Sequence, residues 1–206
     1  KDSDPTTARK EAIHIDCMHN DSMAPSNQEN TVYDDTICNN VTVDGCTFVD
    51  VPRGIGTHIA VGGLYPSNMK FTNNTFKNIT YEAIKAYHYK NVIITGNTID
   101  KAGCGIKSYL YAEPSDNDND EEGNSNYLSA LKNTATEGVP YNANILISQN
   151  TVRNITDSKE GFGIHIAGNA SRPIQGVTVT NNTVSATKMA GIYAKYANRI
   201  TISDNT

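Results

Sequence analysis

The sequence has no tryptophan, only four cysteines and four phenylalanines among 206 residues, and no excess of positive charge, since its formal net charge is -5. No apolar run approaches the roughly 20 residues that a membrane-spanning helix needs. A negatively charged chain has little attraction for nucleic acid or for an anionic membrane surface. We therefore expect no nucleic-acid partner and no membrane span. The hydrophobic fraction of 37% is sufficient for one domain with a sizeable core.

The sequence does contain an internal repeat, which decides how single residues are interpreted. A strand-like phrase resembling NVTIxNNT alternates with a second phrase resembling GIxI. The first phrase occurs at residues 40–48, 68–76, 91–99, 144–152, 176–184 and 199–206. The second phrase occurs at residues 11–16, 53–58, 82–87, 104–109, 162–167 and 190–195. The shortest unit has 22 residues, the interval from Ile84 to Ile106.

Short β-branched runs with alternating apolar positions predict strands, and several strands per unit predict a parallel solenoid of about six coils. Equivalent residues of successive coils then form columns spaced by about 4.8 Å. An aliphatic column is expected at Ile13, Ile55, Ile84, Ile106, Ile164 and Ile192. A second column at a tight bend comprises Cys46, Asn74, Asn97, Asn150, Asn182 and Asn205. Stacked amides at such a bend can hydrogen-bond from coil to coil, and the ladder is expected to begin at Asn74.

With these phrases, residues 11 to 206 resemble the right-handed parallel β-helix proteins of the pectate-lyase-like superfamily. The resemblance implies an all-β fold with an asparagine ladder between the second and third strands of each coil. It also implies a substrate groove along the first strand, which corresponds to the GIxI phrase. The calcium-dependent pectate lyases of that superfamily carry acidic residues on the groove strand, and this pattern is sparse here.

The units differ in length because of insertions that fall between the GIxI phrase and the NVTI phrase. The insertions are residues 17–39, 59–67, 110–143 and 168–175. All long loops are therefore expected along one edge of the solenoid, and loops gathered on one side of a repeat protein often form its binding wall. We treat residues 1–206 as a single domain with an N-terminal extension at 1–10. Because residue 206 falls within an NVTI phrase, we expect the chain to be a piece of a longer protein.

If the isoleucine column points inward, the residues one and three places later point outward. The first outward column contains His14, Gly56, Lys85, Lys107, His165 and Tyr193, and the second contains Asp16, His58, Tyr87, Tyr109, Ala167 and Lys195. Two lysines and two tyrosines are thus expected side by side on adjacent coils. Adjacent ammonium groups favour the neutral form of one lysine or hold an anion together. Paired tyrosines suit sugar rings. The alternative is an ordinary solvated strand.

For a lyase, Lys107 or Lys85 would remove the proton beside a uronate carboxylate. Arg53, His58 or the second lysine would neutralise that carboxylate, and Tyr87 or Tyr109 would donate a proton to the leaving oxygen.

A glycoside hydrolase instead needs two carboxyl groups, for which Glu11, Asp16 and Glu82 are candidates, together with Asp34 or Asp35 in the first insertion. Asp16 and His58 would form an acid/base pair one coil apart. Glu11 and Glu82 each open an EAI phrase, so the other interpretation is that they are turn residues that bond backbone amides.

The remaining predictions concern cysteines and metal. Cys17 and Cys38 bracket the first insertion, where a disulfide would fit an extracellular location, whereas Cys46 and Cys104 are expected to be buried thiols. Calcium is a possible cofactor, with weak candidate ligands Asp116, Asp118 and Asp120, although the loop departs from the EF-hand pattern.

Taken together, the sequence predicts a secreted or cell-surface β-helix that recognises a polysaccharide or other glycan and processes it as a lyase or glycoside hydrolase. The competing interpretation is a non-catalytic carbohydrate-binding or adhesin module. The expected groove contains Asp16, His58, Lys85, Tyr87, Lys107, Tyr109, His165 and Lys195. The expected flanking substrate contacts are Arg53, His14, Tyr193 and Glu82.

Overall fold

A computed structural model of the chain describes residues 11–15, 38–57, 65–110, 141–168 and 173–206. These residues form fifteen β-strands and no helix. The strands are β1 (Glu11–His14), β2 (Thr42–Asp44), β3 (Thr47–Val49), β4 (Arg53–Gly56), β5 (Ser67–Thr72), β6 (Thr75–Tyr87), β7 (Lys90–Thr95), β8 (Thr98–Tyr109), β9 (Tyr141–Ser148), β10 (Thr151–Ile155), β11 (Ile164–Ala167), β12 (Ile174–Thr180), β13 (Thr183–Thr187), β14 (Ile192–Lys195) and β15 (Ala197–Ser203). All strand pairs are parallel, which confirms the predicted parallel β-helix.

The strands line three faces of the solenoid. One face contains the GIxI phrases and consists of β1, β4, the second half of β6, the second half of β8, β11 and β14. We call it the GIxI face. A second face contains β2, β5, β7, β9, β12 and β15, and the third contains β3, the first halves of β6 and β8, β10 and β13. Strands β6 and β8 pass from the third face onto the GIxI face without interruption.

The core consists of aliphatic columns that run along the solenoid axis. The predicted isoleucine column is confirmed by the register, in which each isoleucine pairs with its equivalent on the next coil. Ile55, Ile84, Ile106 and Ile164 are fully buried. Phe48 and Phe76 add a stacked pair with ring centroids 4.7 Å apart. Each coil therefore contributes to a core that its own few residues could not form alone.

An asparagine ladder joins the coils at the bend between the second and third faces. The Asn150 amide donates to Asn182 Oδ1 at 2.9 Å and to the Ile94 carbonyl at 3.0 Å, and its own Oδ1 accepts from Asn97 Nδ2 at 2.9 Å. The ladder begins at Asn74, as expected, because Asn74 Oδ1 accepts the backbone N–H of Cys46. Buried amides therefore satisfy backbone groups that the bend leaves without a strand partner.

A second, exposed ladder was not predicted. Asn40, Asn68, Asn91 and Asn144 all have left-handed backbone conformations, with φ between 50° and 59°. The side-chain amides of Asn68, Asn91 and Asn144 each donate to the equivalent asparagine of the preceding coil, over distances of 2.9 to 3.2 Å. Asparagine tolerates this conformation better than most residues, which accounts for the first letter of the NVTI phrase.

Strands β9 and β12 begin at Tyr141 and Ile174, so backbone pairing with the neighbouring coils extends beyond the phrases that begin at residues 144 and 176. One prediction needs correction: Cys104 is buried as expected, but Cys46 is exposed. Cys46 lies between β2 and β3, which among the described residues pair on one side only, with β5 and β6.

Candidate functional site on the GIxI face

The predicted side-by-side arrangement of lysines and tyrosines is present. Lys85 pairs in register with Lys107, and Tyr87 pairs with Tyr109. The next coil continues these columns with His165 beside Lys107, and the following coil adds Tyr193 and Lys195. His14 lies on β1 at the other end of the same face.

The outward side of this face is largely buried. Lys107 is 8% exposed, His165 is 7% exposed and Tyr87 is 5% exposed. An ordinary solvated strand would expose these side chains, so that interpretation is wrong for these three residues. Charged and polar groups with so little contact with water need partners or a functional reason.

Arg53 binds two acidic side chains from different coils. Its Nε donates to Glu82 Oε2 at 2.7 Å, and its Nη1 donates to Glu11 Oε1. All three side chains are buried. On the far side, Glu11 Oε2 lies 3.0 Å from His14 Nδ1. The interpretation of Glu11 and Glu82 as turn residues is wrong, because both lie within strands and bind Arg53.

Gly56 allows Arg53 to lie across the face. A Cβ atom at Gly56 would stand 2.8 Å from Arg53 Cδ and 3.0 Å from Glu11 Cγ, so one or both of these side chains would have to shift. The position that carries Lys85 one coil later therefore leaves room here for the Arg53 side chain. Burial raises the pKa of Glu82, but the Arg53, Lys85 and Lys107 cations outweigh it and hold the pKa below its usual value.

Lys107 is also held by carboxylates. Its Nζ donates to Glu160 Oε2 and lies 3.9 Å from Glu82 Oε1. Burial lowers the pKa of Lys107, but the hydrogen bond to Glu160 and the charge of Glu82 leave it above its usual value. Both carboxylates therefore favour the charged form of Lys107. Acidic and basic groups alternate along the solenoid in the order Glu11, Arg53, Glu82, Lys107 and Glu160, which we call the ion-pair chain.

Lys85 has a different set of partners from Lys107. Within the described part of the chain, its ammonium group makes no ion pair or hydrogen bond, and its Nζ lies 4.7 Å from the centroid of the Tyr87 ring. Burial, together with the Arg53 and Lys107 cations, lowers the pKa of Lys85 to about 8. A lysine with this pKa is partly neutral near physiological pH and can accept a proton.

The two tyrosines form a stacked pair beside the lysines. Their ring centroids are 5.5 Å apart and their planes are inclined by 19°. Lys107 Nζ lies 5.1 Å from the centroid of Tyr109, which repeats the contact of Lys85 with Tyr87. Such cation–π contacts fix the direction of both lysine side chains.

A second aromatic group lies on the next two coils. Phe162 and Tyr193 stack with centroids 4.5 Å apart, and the His165 ring packs against both at 4.7 and 5.2 Å. Phe162 and Glu160 were missed by the sequence analysis. Phe162 occupies the column of Glu11, Arg53 and Glu82, so the repeat could have identified it. Glu160 lies in a turn outside both phrases, where no periodic signal exists.

Several predicted site residues lie outside the described residues. They are Asp16, His58, Cys17, Asp116, Asp118 and Asp120. The acid/base pair, the disulfide with Cys38 and the calcium ligands therefore stay predictions. Cys38 itself is exposed. Within the described ranges, no group of three or more histidine, cysteine or acidic side chains is arranged to hold a metal ion.

Comparison with known protein families gives one match: the family described as right handed beta helix region matches residues 35–206. No curated protein and no solved structure matches the chain. Over the described residues, no helix is long and apolar enough to cross a membrane.

Proposed function

Because the chain belongs to the family of right-handed β-helix proteins, a fold often found in carbohydrate-acting proteins, we propose that its GIxI face binds and cleaves an acidic polysaccharide by β-elimination. In this proposal Lys85 is the catalytic base. The observation that carries it is the contrast between the two adjacent lysines. The Lys107 ammonium is paired with Glu160 and Glu82, whereas the partly buried Lys85 stands beside two cations and makes no ion pair or hydrogen bond with a carboxylate of the described residues.

The reaction assigns a role to each neighbouring group. Neutral Lys85 removes the proton next to the uronate carboxylate, the bond from the ring to the glycosidic oxygen breaks, and a carbon–carbon double bond forms. The leaving oxygen takes a proton from Tyr87 or Tyr109, which stand beside Lys85 on the same face. The Arg53 and Lys107 charges, which lower the pKa of Lys85, also stabilise the negative charge that develops on the substrate.

Over the described carboxylates, which do not include Asp16, elimination fits this site better than hydrolysis does. A glycoside hydrolase needs a carboxylic acid that is still protonated near neutral pH. Glu82 has a lowered pKa and is bound by Arg53, and Glu11 is bound by Arg53 and His14. These two carboxylates instead form ion pairs with Arg53.

The test is to incubate the protein with polygalacturonate, alginate, hyaluronan and chondroitin sulfate, and to follow chain length and the ultraviolet absorbance of unsaturated uronate ends. We expect one substrate to be shortened with new absorbance. Lys85→Met should abolish this activity, and Lys70→Met, an exposed lysine on the second face, should retain it. Shortening without new absorbance, or full activity of Lys85→Met, would refute elimination by Lys85.

The ion-pair chain also favours a second candidate, a non-catalytic glycan-binding module. Arg53 and Lys107 are held by carboxylates, which gives the face a fixed shape suited to recognition. Retention of a polysaccharide without cleavage would support this function. Either function places the protein where polysaccharides occur, so we propose that it is secreted or attached to the cell surface.

A further inference from the structure

The aromatic group of Phe162, His165 and Tyr193 lies on the GIxI face beyond the lysines. His165 follows Lys107 in the same outward column, and Tyr193 follows His165. Lys85 and His165 are two coils apart, which corresponds to roughly 9.6 Å along the axis. Phe162 and Tyr193 are both partly exposed, so part of this stacked pair contacts solvent beside the buried imidazole.

His165 has no polar partner for its ring. Both ring nitrogens are buried and, among the described residues, neither makes a hydrogen bond. Burial and the nearby Lys107 charge lower the pKa of His165 to about 4, so the ring is neutral near pH 7. A neutral imidazole carries one donor and one acceptor. A buried donor and a buried acceptor without hydrogen bonds are unfavourable, and few buried side chains in native proteins lack such bonds without a functional or structural reason.

A sugar matches these features. Its hydroxyl groups both donate and accept hydrogen bonds, and the C–H side of a sugar ring packs on an aromatic surface. We propose that Phe162, His165 and Tyr193 form a second sugar subsite, in which the imidazole recognises a hydroxyl group of the polysaccharide bound at Lys85. This inference rests on the proposed function. It assigns to His165 the recognition of an uncharged group of the substrate. A site built to hydrogen-bond a hydroxyl discriminates strongly against ligands that lack one.

The experiment compares His165→Phe and His165→Asn with the unmodified protein, using the polysaccharide that the panel identifies. Phenylalanine keeps the ring and removes both hydrogen-bonding groups, so thermal stability should be unchanged or higher. We expect KM or Kd to rise about 3- to 10-fold, the loss of one ordinary hydrogen bond, while kcat changes little. Asparagine retains a donor and an acceptor and should recover part of the affinity.

A spectroscopic measurement gives a second readout that a merely structural role would not produce. The ring nitrogen resonances of His165 should shift when the oligosaccharide binds. Lys77→Ala, an exposed lysine on the third face, is the control substitution and should leave Kd unchanged.

The outcomes separate this inference from the proposed function. If the unmodified protein binds a polysaccharide and His165→Phe binds it equally well, with no shift of the ring resonances, the subsite is refuted and the role of Lys85 stands. If the unmodified protein neither binds nor cleaves any member of the panel, the proposed function fails and the subsite fails with it. Weaker binding by His165→Phe with an intact melting temperature supports the subsite.

Discussion

Lys85 and Lys107 occupy equivalent positions in adjacent coils and have opposite electrostatic environments. The carboxylates of Glu82 and Glu160 stabilise the charged form of Lys107, whereas burial and the neighbouring cations destabilise that of Lys85. A repeated phrase in the sequence therefore does not imply a repeated role. The difference arises from Glu160, which belongs to neither phrase.

The pH dependence of cleavage follows from the Lys85 ammonium group. The charged groups that act on it are Arg53 on β4, Glu82 on its own strand, Lys107 on β8 and Glu11 on β1. Because the neutral amine is the base, kcat/KM should rise with pH through about 8 and then level off. A pH–rate profile from 5 to 10 checks this. A rate that falls over the same interval would contradict the assignment of Lys85 as base.

Removing Arg53 should be costly for stability. Arg53→Met leaves Glu82 and Glu11 buried without their main partner, a change that typically costs about 3–5 kcal/mol. The control is Arg153→Met, which breaks the exposed pair with Asp100 at 2.8 Å and should cost about 0.2–1 kcal/mol. Urea unfolding of both variants measures the difference, and equal losses would contradict it.

The loss of unfolding free energy caused by Arg53→Met should depend on pH. The pKa of Glu82 is lowered in the folded state, so the stability that Arg53 confers through Glu82 is present above the usual glutamate pKa and is lost as pH falls through the folded-state value. The gap in unfolding free energy between the unmodified protein and Arg53→Met should therefore shrink as the pH is lowered below about 4.5.

At the scale of the structural element, the two asparagine ladders serve different purposes. The inner ladder satisfies buried backbone groups, whereas the outer one connects exposed residues in left-handed conformations. Only the inner ladder is needed to keep polar backbone atoms paired inside the solenoid. Substitutions in the two ladders should therefore lower the free energy of unfolding by different amounts.

Asn150→Ala should be strongly destabilising. It removes the acceptor of the Asn97 backbone N–H at 3.0 Å and the donor to the Ile94 carbonyl at 3.0 Å. Each buried group left unpaired costs about 1–3 kcal/mol. Asn91→Gly is the matched control, because glycine tolerates the φ of 53° and the site is exposed, so the loss should stay within about 1 kcal/mol. Chemical unfolding distinguishes the two, and similar midpoints would refute the distinction.

Most of the fold could be predicted from the sequence because the repeat places the isoleucines and asparagines at fixed intervals. The register of Lys85 with Lys107 and of Tyr87 with Tyr109 followed from the same interval. The burial of the outward face did not follow, since it depends on contacts that the period does not encode. The Arg53 side chain and its partner Glu11 pack against Gly56, where a Cβ atom would crowd both, and the contact of Lys107 with Glu160 involves a turn.

At the scale of the whole molecule, stability is distributed over contacts between neighbouring coils. Strand β8 pairs with β6 on one side and with β10 and β11 on the other, whereas among the described residues β14 pairs only with β11 and β15 only with β12. In a solenoid each coil is stabilised by its neighbours, so coils with two neighbours open less often than coils with one.

Amide hydrogen exchange should reveal this gradient. Backbone amides of β7 and β8 should exchange more slowly than those of β14 and β15, because opening a central coil disrupts two interfaces. Exchange followed by mass spectrometry or by NMR measures the protection of each strand. Equal protection across the four strands would show that the coils open together as one cooperative unit, contrary to this expectation.

The ion-pair chain also affects which strands can pair with each other during folding. Repeated coils resemble one another, so a strand can pair with the wrong neighbour and still bury an isoleucine. If β6 took the place of β4 beside β1, Glu82 would stand next to Glu11, and two buried carboxylates would repel each other. The alternation of acidic and basic groups therefore disfavours the pairing of β6 with β1 relative to the native order.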